Sequence, residues 1–315
     1  MSVHVLAPGL LTTLQDAGRR GQRHLGVGTA GAADPWSHAL ANLLAGNRGD
    51  AATLEITLSG PTLRFDHAAR IALCGARINA RVGDAEIPAD RPVDLAAGSV
   101  LRLGSCRDGA RTYLAVHGGF SAPALLGSAS TDLRGGFGGM RGRALAAGDV
   151  LPLARRHAND ATAVQAAAWW VDPAPEDNPF PQIRVLAGQT GTHPADALFA
   201  QPWRVASASN RQGLRLEGPA LQARDASERT SEPVFPGTVQ LPPDGQPIVL
   251  LADAQTHGGY PRIGHAIRAD WPKLAQLRPG DPMTFLPCSR AEALQAQAAQ
   301  RQRLARLGLA IAARR

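Results

Sequence analysis

The densest run of chemically capable side chains is Asp253-Ala-Gln255-Thr256-His257-Gly258-Gly259-Tyr260-Pro261-Arg262. An acid, an amide, a hydroxyl, a phenol and an arginine crowd beside two glycines, directly after the apolar stretch Ile248-Val-Leu-Leu-Ala. Such a set can donate hydrogen bonds to a carbonyl and hold a carboxylate, and loops at strand ends are where a rigid scaffold presents its chemistry. A second run is Arg134-Gly135-Gly136-Phe-Gly-Gly-Met-Arg141-Gly-Arg143. Its arginines offer planar forks to carboxylate or phosphate, and its glycines let a backbone approach a ligand closely. A hairpin with solvated arginines would read the same.

Other signals are weaker. Gly26-Val-Gly28-Thr-Ala-Gly31 matches the dinucleotide-binding glycine pattern and leads into a predicted helix. The residues before it, Arg19-Arg-Gly-Gln-Arg-His, are not a buried strand, and no βαβ unit follows, which argues against that reading. A glycine-rich loop at a helix start remains able to bind an anion. Nine histidines include no pair at metal-ligand spacing, so no metal site is expected. His117 and His257 are expected to satisfy turns. No G-x-S-x-G elbow exists, and the single lysine, Lys273, stands in neither a phosphate loop nor a biotin-acceptor motif, so no covalent biotin is expected on this chain.

These residues need a scaffold, and 315 residues at 44% hydrophobic and 19% charged can bury one. Three widely spaced cysteines rule against a disulfide framework or a cysteine zinc site and fit a reducing, cytoplasmic compartment. The N-terminus lacks a secretory pattern, and no apolar run is long enough for a membrane span. Of the net charge of +7, six arginines and Glu292 from Ser289 onward supply +5, so the body is nearly neutral. No nucleic-acid-binding pattern accompanies that tail, which reads as an alanine-rich helix with Leu294, Leu304, Leu307 and Ile311 available to pack.

Short β-rich runs dominate, at 54–58, 71–74, 78–82, 100–103, 112–116, 183–187, 214–216, 238–241, 248–252 and 283–286. Helices are few: 35–45, capped by Asp34 with Pro at the first position, and 270–277. Three motifs recur in order, namely Gly60-Pro61 and Gly218-Pro219, His117-Gly-Gly and His257-Gly-Gly, and Gly148-Asp149 and Gly280-Asp281. Together they predict a duplicated β-rich domain. The expected boundaries are 1–153 for the first copy, 154–182 for an Ala- and Pro-rich linker, 183–287 for the second copy, and 288–315 for a basic helix or tail.

The stretch Gly9-Leu-Leu-Thr-Thr-Leu-Gln15-Asp16-Ala-Gly18-Arg19-Arg20-Gly21, with Gly31-Ala-Ala-Asp34, Leu133-Arg-Gly-Gly-Phe-Gly-Gly and Asp253-Ala-Gln-Thr-His-Gly-Gly-Tyr, resembles the biotin-dependent carboxyltransferase (allophanate hydrolase subunit 2) family. The likeness runs from about residue 3 to 287, with departures at Gln212 and His257. The free-standing size is similar to the C-subunit group of bacterial 5-oxoprolinases, also described as kinase-inhibitor antagonists. The resemblance implies an all-β fold of two cyclophilin-like β-barrels with few short helices. It also implies ATP-dependent opening of 5-oxoproline to glutamate, with ATP and Mg2+ shared with B-like and A-like oxoprolinase partners. Two alternatives are a carboxyltransferase component acting on urea or a related amide, and a regulatory partner of a kinase-inhibitor protein.

On that chemistry the expected catalytic residues are Asp34, Gln255 and Tyr260. Arg211, His257, Gly258, Gly259 and Arg262 are expected to bind substrate, and Arg20, Arg134, Gly135, Gly136 and Arg141 to bind phosphate. A cleft at the domain junction is expected to join the 253–262 loop to residues of the 15–34 segment.

Overall fold

The computed structural model describes residues 1–155, 161–173, 180–188, 195–222 and 230–314. The chain divides into two units. The first comprises Met1–Arg19, Asp34–Pro175 and Leu304–Arg315, and the second Arg20–Ala33 and Glu176–Arg303. The mainly-β class expected from the sequence holds.

In the first unit, two six-stranded sheets share one core. One runs Val150–Pro152, Ser2–Ala7, Thr62–Phe65, Val100–Cys106, Ile78–Val82, Ala85–Glu86, and the other Gln165–Ala166, Val93–Leu95, Ala69–Gly75, Arg111–Val116, Thr53–Thr57, Leu11–Gln15. Alternation puts Val3, Val5, Leu63, Phe65, Leu101 and Leu103 inward, as the two-residue period of a strand requires. The helix Pro35–Ala45 packs on Ala69–Gly75 and Arg111–Val116. Its start is fixed by Asp34, whose carboxylate accepts from the Trp36 and Ser37 amides at 3.1 and 3.0 Å.

In the second unit seven strands close into a barrel, in the order Gln182–Ala187, Arg262–Ala266, Thr238–Gln240, Ile248–Leu250, Gly213–Glu217, Trp203–Val205, Pro282–Pro287. Closure is a parallel pairing of the first and last of these. Pairs two residues apart, Ile183 with Val185, Trp203 with Val205, Leu214 with Leu216 and Met283 with Phe285, fill the interior. A two-stranded ribbon, Glu232–Pro233 with His257–Gly258, stands apart from the barrel ladder.

The repeat is visible in the strand neighbours. Leu11–Gln15, Thr53–Thr57, Arg111–Val116 and Ala69–Gly75 lie side by side, as do Trp203–Val205, Gly213–Glu217, Ile248–Leu250 and Thr238–Gln240. Asp149 and Asp281 close the same turn, each accepting from the amide three residues back at 2.7 Å. The repeat is imperfect after the glycine pairs. His117 follows its strand directly, whereas six residues separate Leu250 from His257.

Two expectations are modified. Residues 20–33 group with the second unit although they lie in the first half of the sequence. Within the expected linker, Gln165–Ala166 pairs with Asp94 and Val93, because exposed strand edges accept any extended segment that reaches them. The C-terminal segment is a helix of 23 residues, Arg290–Ala312, as its alanine-rich sequence leads one to expect. It starts with a capping box in which Ser289 and Glu292 bond each other's backbone amides at 3.2 and 2.8 Å. Along it Ile311 is buried, Leu304 and Leu307 are half-buried, and Leu294 is exposed. No helix among the described residues is long and apolar enough to cross a membrane.

Candidate functional site

The second unit holds a cleft of about 370 Å3. Its walls are the 258–262 turn, residues 186–188, Glu232, Phe235, and Thr238, Gly264 and His265 of the barrel. Strand alternation explains the floor. Val239 is fully buried in the barrel core, so Thr238 and Gln240 on either side of it share the opposite face. Arg262 forms an ion pair with Glu232, and its Nη1 donates to the Pro233 carbonyl at 3.4 Å. Both side chains are about half exposed, at 46% and 53%. Tyr260 is exposed. Burial pushes the His265 imidazole below its ordinary pKa, so it faces the cleft as a neutral base at pH 7.

Behind the turn lies a polar layer. Gln255 Nε2 donates to Gln240 Oε1 at 3.4 Å, and the Gln255 carbonyl accepts from Arg23 Nη2 at 2.9 Å. Arg23 also donates to the Val234 carbonyl and lies over the Phe235 ring, 5.1 Å from its centroid. The Thr256 hydroxyl meets His257 Nδ1 at 3.1 Å. Here the structure brings the 20–33 segment against the 253–262 loop, within the second unit.

Several expected site residues have other work. Arg211 is buried in a bidentate ion pair with Asp253, at 2.9 Å to each carboxylate oxygen, and donates to the Gly31 carbonyl at 2.7 Å. Its fork is filled by its own chain. Asp34 is likewise committed. Besides capping the helix, its second oxygen accepts from the Ser37 hydroxyl at 2.7 Å, and its amide donates to the Tyr113 hydroxyl at 2.8 Å. That carboxylate holds a helix start and is not presented as a catalytic acid. His117 satisfies the Ala45 carbonyl at 2.9 Å, as expected of a turn histidine.

The expected phosphate-binding set is divided. Arg20 belongs to the second unit, near enough to Arg268 that its charge and that of Arg301, added to burial, lower the Arg268 pKa. Arg134, Gly135, Gly136 and Arg141 belong to the first unit, where both arginines are exposed. Arg143 is taken by Asp149 at 2.7 Å on both oxygens. The glycines are needed for the chain's own packing. A Cβ on Gly139 would overlap the Thr131 side chain, and one on Gly142 would overlap the Gly136 backbone. The loop is pinned from beneath by fully buried Arg19, which donates to the Leu125 and Ser130 carbonyls and lies 4.7 Å from the Phe137 centroid. Close approach at Gly139 and Gly142 therefore serves the fold, whereas the space beside Gly136 is open.

Sequence reasoning missed Glu232, Phe235, Thr238, Gln240, His265 and Arg23. The last stands in Arg19-Arg-Gly-Gln-Arg-His, the stretch before the glycine run, from which only Arg20 is singled out. Thr238, Gln240 and His265 lie on strands 238–240 and 262–266, Glu232 on the ribbon paired with 257–258 and Phe235 just after it. For the first three, an outward-facing polar residue on a barrel strand was the available signal. No group of three His, Cys, Asp or Glu able to hold a metal occurs among the described residues.

Comparison with known proteins agrees with the folded arrangement. The family described as carboxyltransferase domain, subdomain A and B, matches residues 25–287. An Escherichia coli protein named as the C subunit of 5-oxoprolinase is 41% identical over 304 residues, 95% of each chain. One of the same name from Haemophilus influenzae is 35% identical, over 89% of each. The crystal structure of Kluyveromyces lactis urea amidolyase superposes with a TM-score of 0.88 at 31% identity, covering 97% of this chain and 20% of that one. This chain thus spans a fifth of that larger protein. With the fold, the repeated strand order and the matched residues in agreement, the chain belongs to the carboxyltransferase-domain family, subdomains A and B.

Proposed function

We propose that the chain is the C subunit of an ATP-dependent 5-oxoprolinase and that the cleft beside residues 258–262 receives the lactam. The observation that carries this reading is the 41% identity to the Escherichia coli C subunit over 95% of both lengths. The cleft volume supports it, since small-molecule sites run from roughly 300 to 1,000 Å3.

Opening a lactam breaks a resonance-stabilised C–N bond, so the site must stabilise charge on the carbonyl oxygen and anchor the substrate carboxylate. Arg262 suits the anchor. Its partner Glu232 is half exposed, and such a pair contributes only about 0–1 kcal/mol, so the guanidinium can exchange Glu232 for a substrate carboxylate at little cost. The Tyr260 hydroxyl is free to turn toward the bound ring, and neutral His265 is available to take a proton. Gly139 and Gly142 of the arginine-glycine loop pack against the chain itself, which favours a nucleotide site elsewhere in the assembly. ATP and Mg2+ are assigned to the assembly with A-like and B-like partners. A second reading, carboxyl transfer to urea or a related amide, rests on the fit to urea amidolyase.

Arg262→Ala in the reconstituted complex tests the reading. Losing a charge-assisted contact of about 1.5–3 kcal/mol lowers kcat/KM for 5-oxoproline about 10- to 100-fold, mostly through KM. The thermal midpoint stays within error because the Glu232 pair is exposed. Unchanged kinetics would remove the cleft from the reaction.

A further inference from the structure

Gln240 is 1% exposed, and its Nε2 has no hydrogen-bond partner among the described residues. Its Oε1 is turned toward the Gln255 amide nitrogen, 3.4 Å away, and flipping Gln240 would set two donors against each other. The orphaned donor is thus held in place by its neighbour. A buried polar group without a partner costs about 1–3 kcal/mol, and a fold retains one where something else uses it.

Its surroundings point to a use. Gln240 shares a strand face with Thr238, which lines the cleft. Gly258 lines the cleft as well, and a Cβ there would stand 2.6 Å from Gln240 Nε2. Any other residue would press directly on the amide. The backbone that separates amide from cleft belongs to the two-residue ribbon Glu232–Pro233 with His257–Gly258. The ribbon is secured by the exposed Glu232–Arg262 pair and by Arg23, which ties down the Val234 and Gln255 carbonyls on either side.

We infer that Gln240 Nε2 is the donor that recognises the carbonyl oxygen of a small amide in this cleft, and that Gly258 is the opening through which the oxygen reaches it. The ribbon shifts outward as the ligand enters, and Arg23 and Gln255 act as positioning residues that keep the amide oriented. The occupant rests on the functional reading above, where it is the lactam of 5-oxoproline.

The test is titration of the full chain, with glutamine side chains labelled with 15N, by 5-oxoproline and separately by urea. Gln240→Leu assigns the signal. Expected is a saturable shift of the Gln240 NH2 pair, lost in Gln240→Leu, with binding weakened about tenfold in Gly258→Ala, the worth of one net hydrogen bond. Gln240→Leu should unfold near the wild-type denaturant midpoint, because deleting the unsatisfied donor offsets the loss of the long 3.4 Å bond from Gln255. A structural glutamine would behave oppositely, losing stability and leaving binding unchanged. No Gln240 shift with either ligand overturns the inference. A shift with urea alone supports the carbonyl donor and moves the functional reading to amide carboxylation. If the assembled enzyme turns over 5-oxoproline equally well with Gln240→Leu, the Gln240 assignment fails and the functional reading stands. If the Gln240 signal shifts but no assembly opens the lactam, the reverse holds.

Discussion

Arg211 and Arg262 are the same residue type on one unit, yet burial gives them opposite roles. Arg211 and Asp253 are each 3% exposed, so removing either leaves an uncompensated buried charge. Arg211→Gln should cost about 3–5 kcal/mol in urea unfolding. An unchanged midpoint with a raised KM would instead return Arg211 to the substrate. Asp90 gives a pH-dependent case. Burial, with help from the Asp172 charge and against the pull of Cys74 and Arg77, lifts its carboxyl to about 6 from 3.8. A carboxyl raised on folding is favoured protonated in the native state, so its ionisation erodes stability as pH climbs from about 4 through 6. The loss at pH 7.5 is about 3 kcal/mol, since each pKa unit is worth about 1.4 kcal/mol. Its backbone is left-handed, at φ 57°, which asparagine tolerates. Asp90→Asn should therefore raise the melting temperature at pH 7.5 and leave it nearly unchanged at pH 4, and a gain independent of pH would contradict that origin.

At the scale of elements, regular signals were readable and close packing was not. The helix 35–45 announces itself by Asp34, Pro35 and Gly46, and the structure has all three at the expected positions. Most of the longer apolar strands were found, whereas Ser2–Ala7, Leu11–Gln15, Thr62–Phe65, Val93–Leu95 and Trp203–Val205 were missed, the first two being polar on one face and the others only three or four residues long. The arginine-glycine loop shows what composition cannot carry. Glycines that permit approach to a ligand and glycines that permit approach to one's own backbone have identical letters. Only coordinates reveal that Thr131 and Gly136 occupy the space. Gly139→Ala should thus destabilise the first unit by about 2–3 kcal/mol, combining a strained positive φ with overpacking. Tolerance of alanine there, seen as an unchanged melting curve, would mean that the loop is loose and reopen a ligand role for it.

At the scale of the whole chain, the ordered repeat in the sequence indicated two β units, and the matching strand neighbours carry it. The assignment of residues 20–33 to the second unit was not legible, because a local motif says nothing about which distant core its segment joins. That same segment supplies Arg23 to the cleft's polar layer, so the site is assembled from residues more than 200 apart in sequence. The functional consequence concerns partners. On the proposed reading the cleft offers an anchor, donors and a neutral imidazole for a small amide, while the sequence contains no phosphate-loop motif and Lys273 sits beside buried Asp270 at 3.8 Å. In the proposed reaction the γ-phosphoryl of ATP passes to the lactam oxygen with ADP leaving, and water adds to the activated carbon. The C–N bond then breaks with the nitrogen leaving as the amine, and the resulting acyl phosphate is hydrolysed to glutamate and phosphate. On the proposed reading this chain binds the amide and its partners supply the phosphoryl site, so alone it completes only half of the reaction. Purified alone, it should bind 5-oxoproline without accelerating ATP hydrolysis. Addition of the A-like and B-like oxoprolinase proteins should produce hydrolysis of ATP that depends on 5-oxoproline and yields glutamate. Measuring phosphate and glutamate release together distinguishes coupled turnover from contaminating ATPase, because the coupled reaction releases both only when all components are present. Robust 5-oxoproline-dependent turnover by the isolated chain would show that the nucleotide site lies within it, and would overturn the division of labour drawn from this fold.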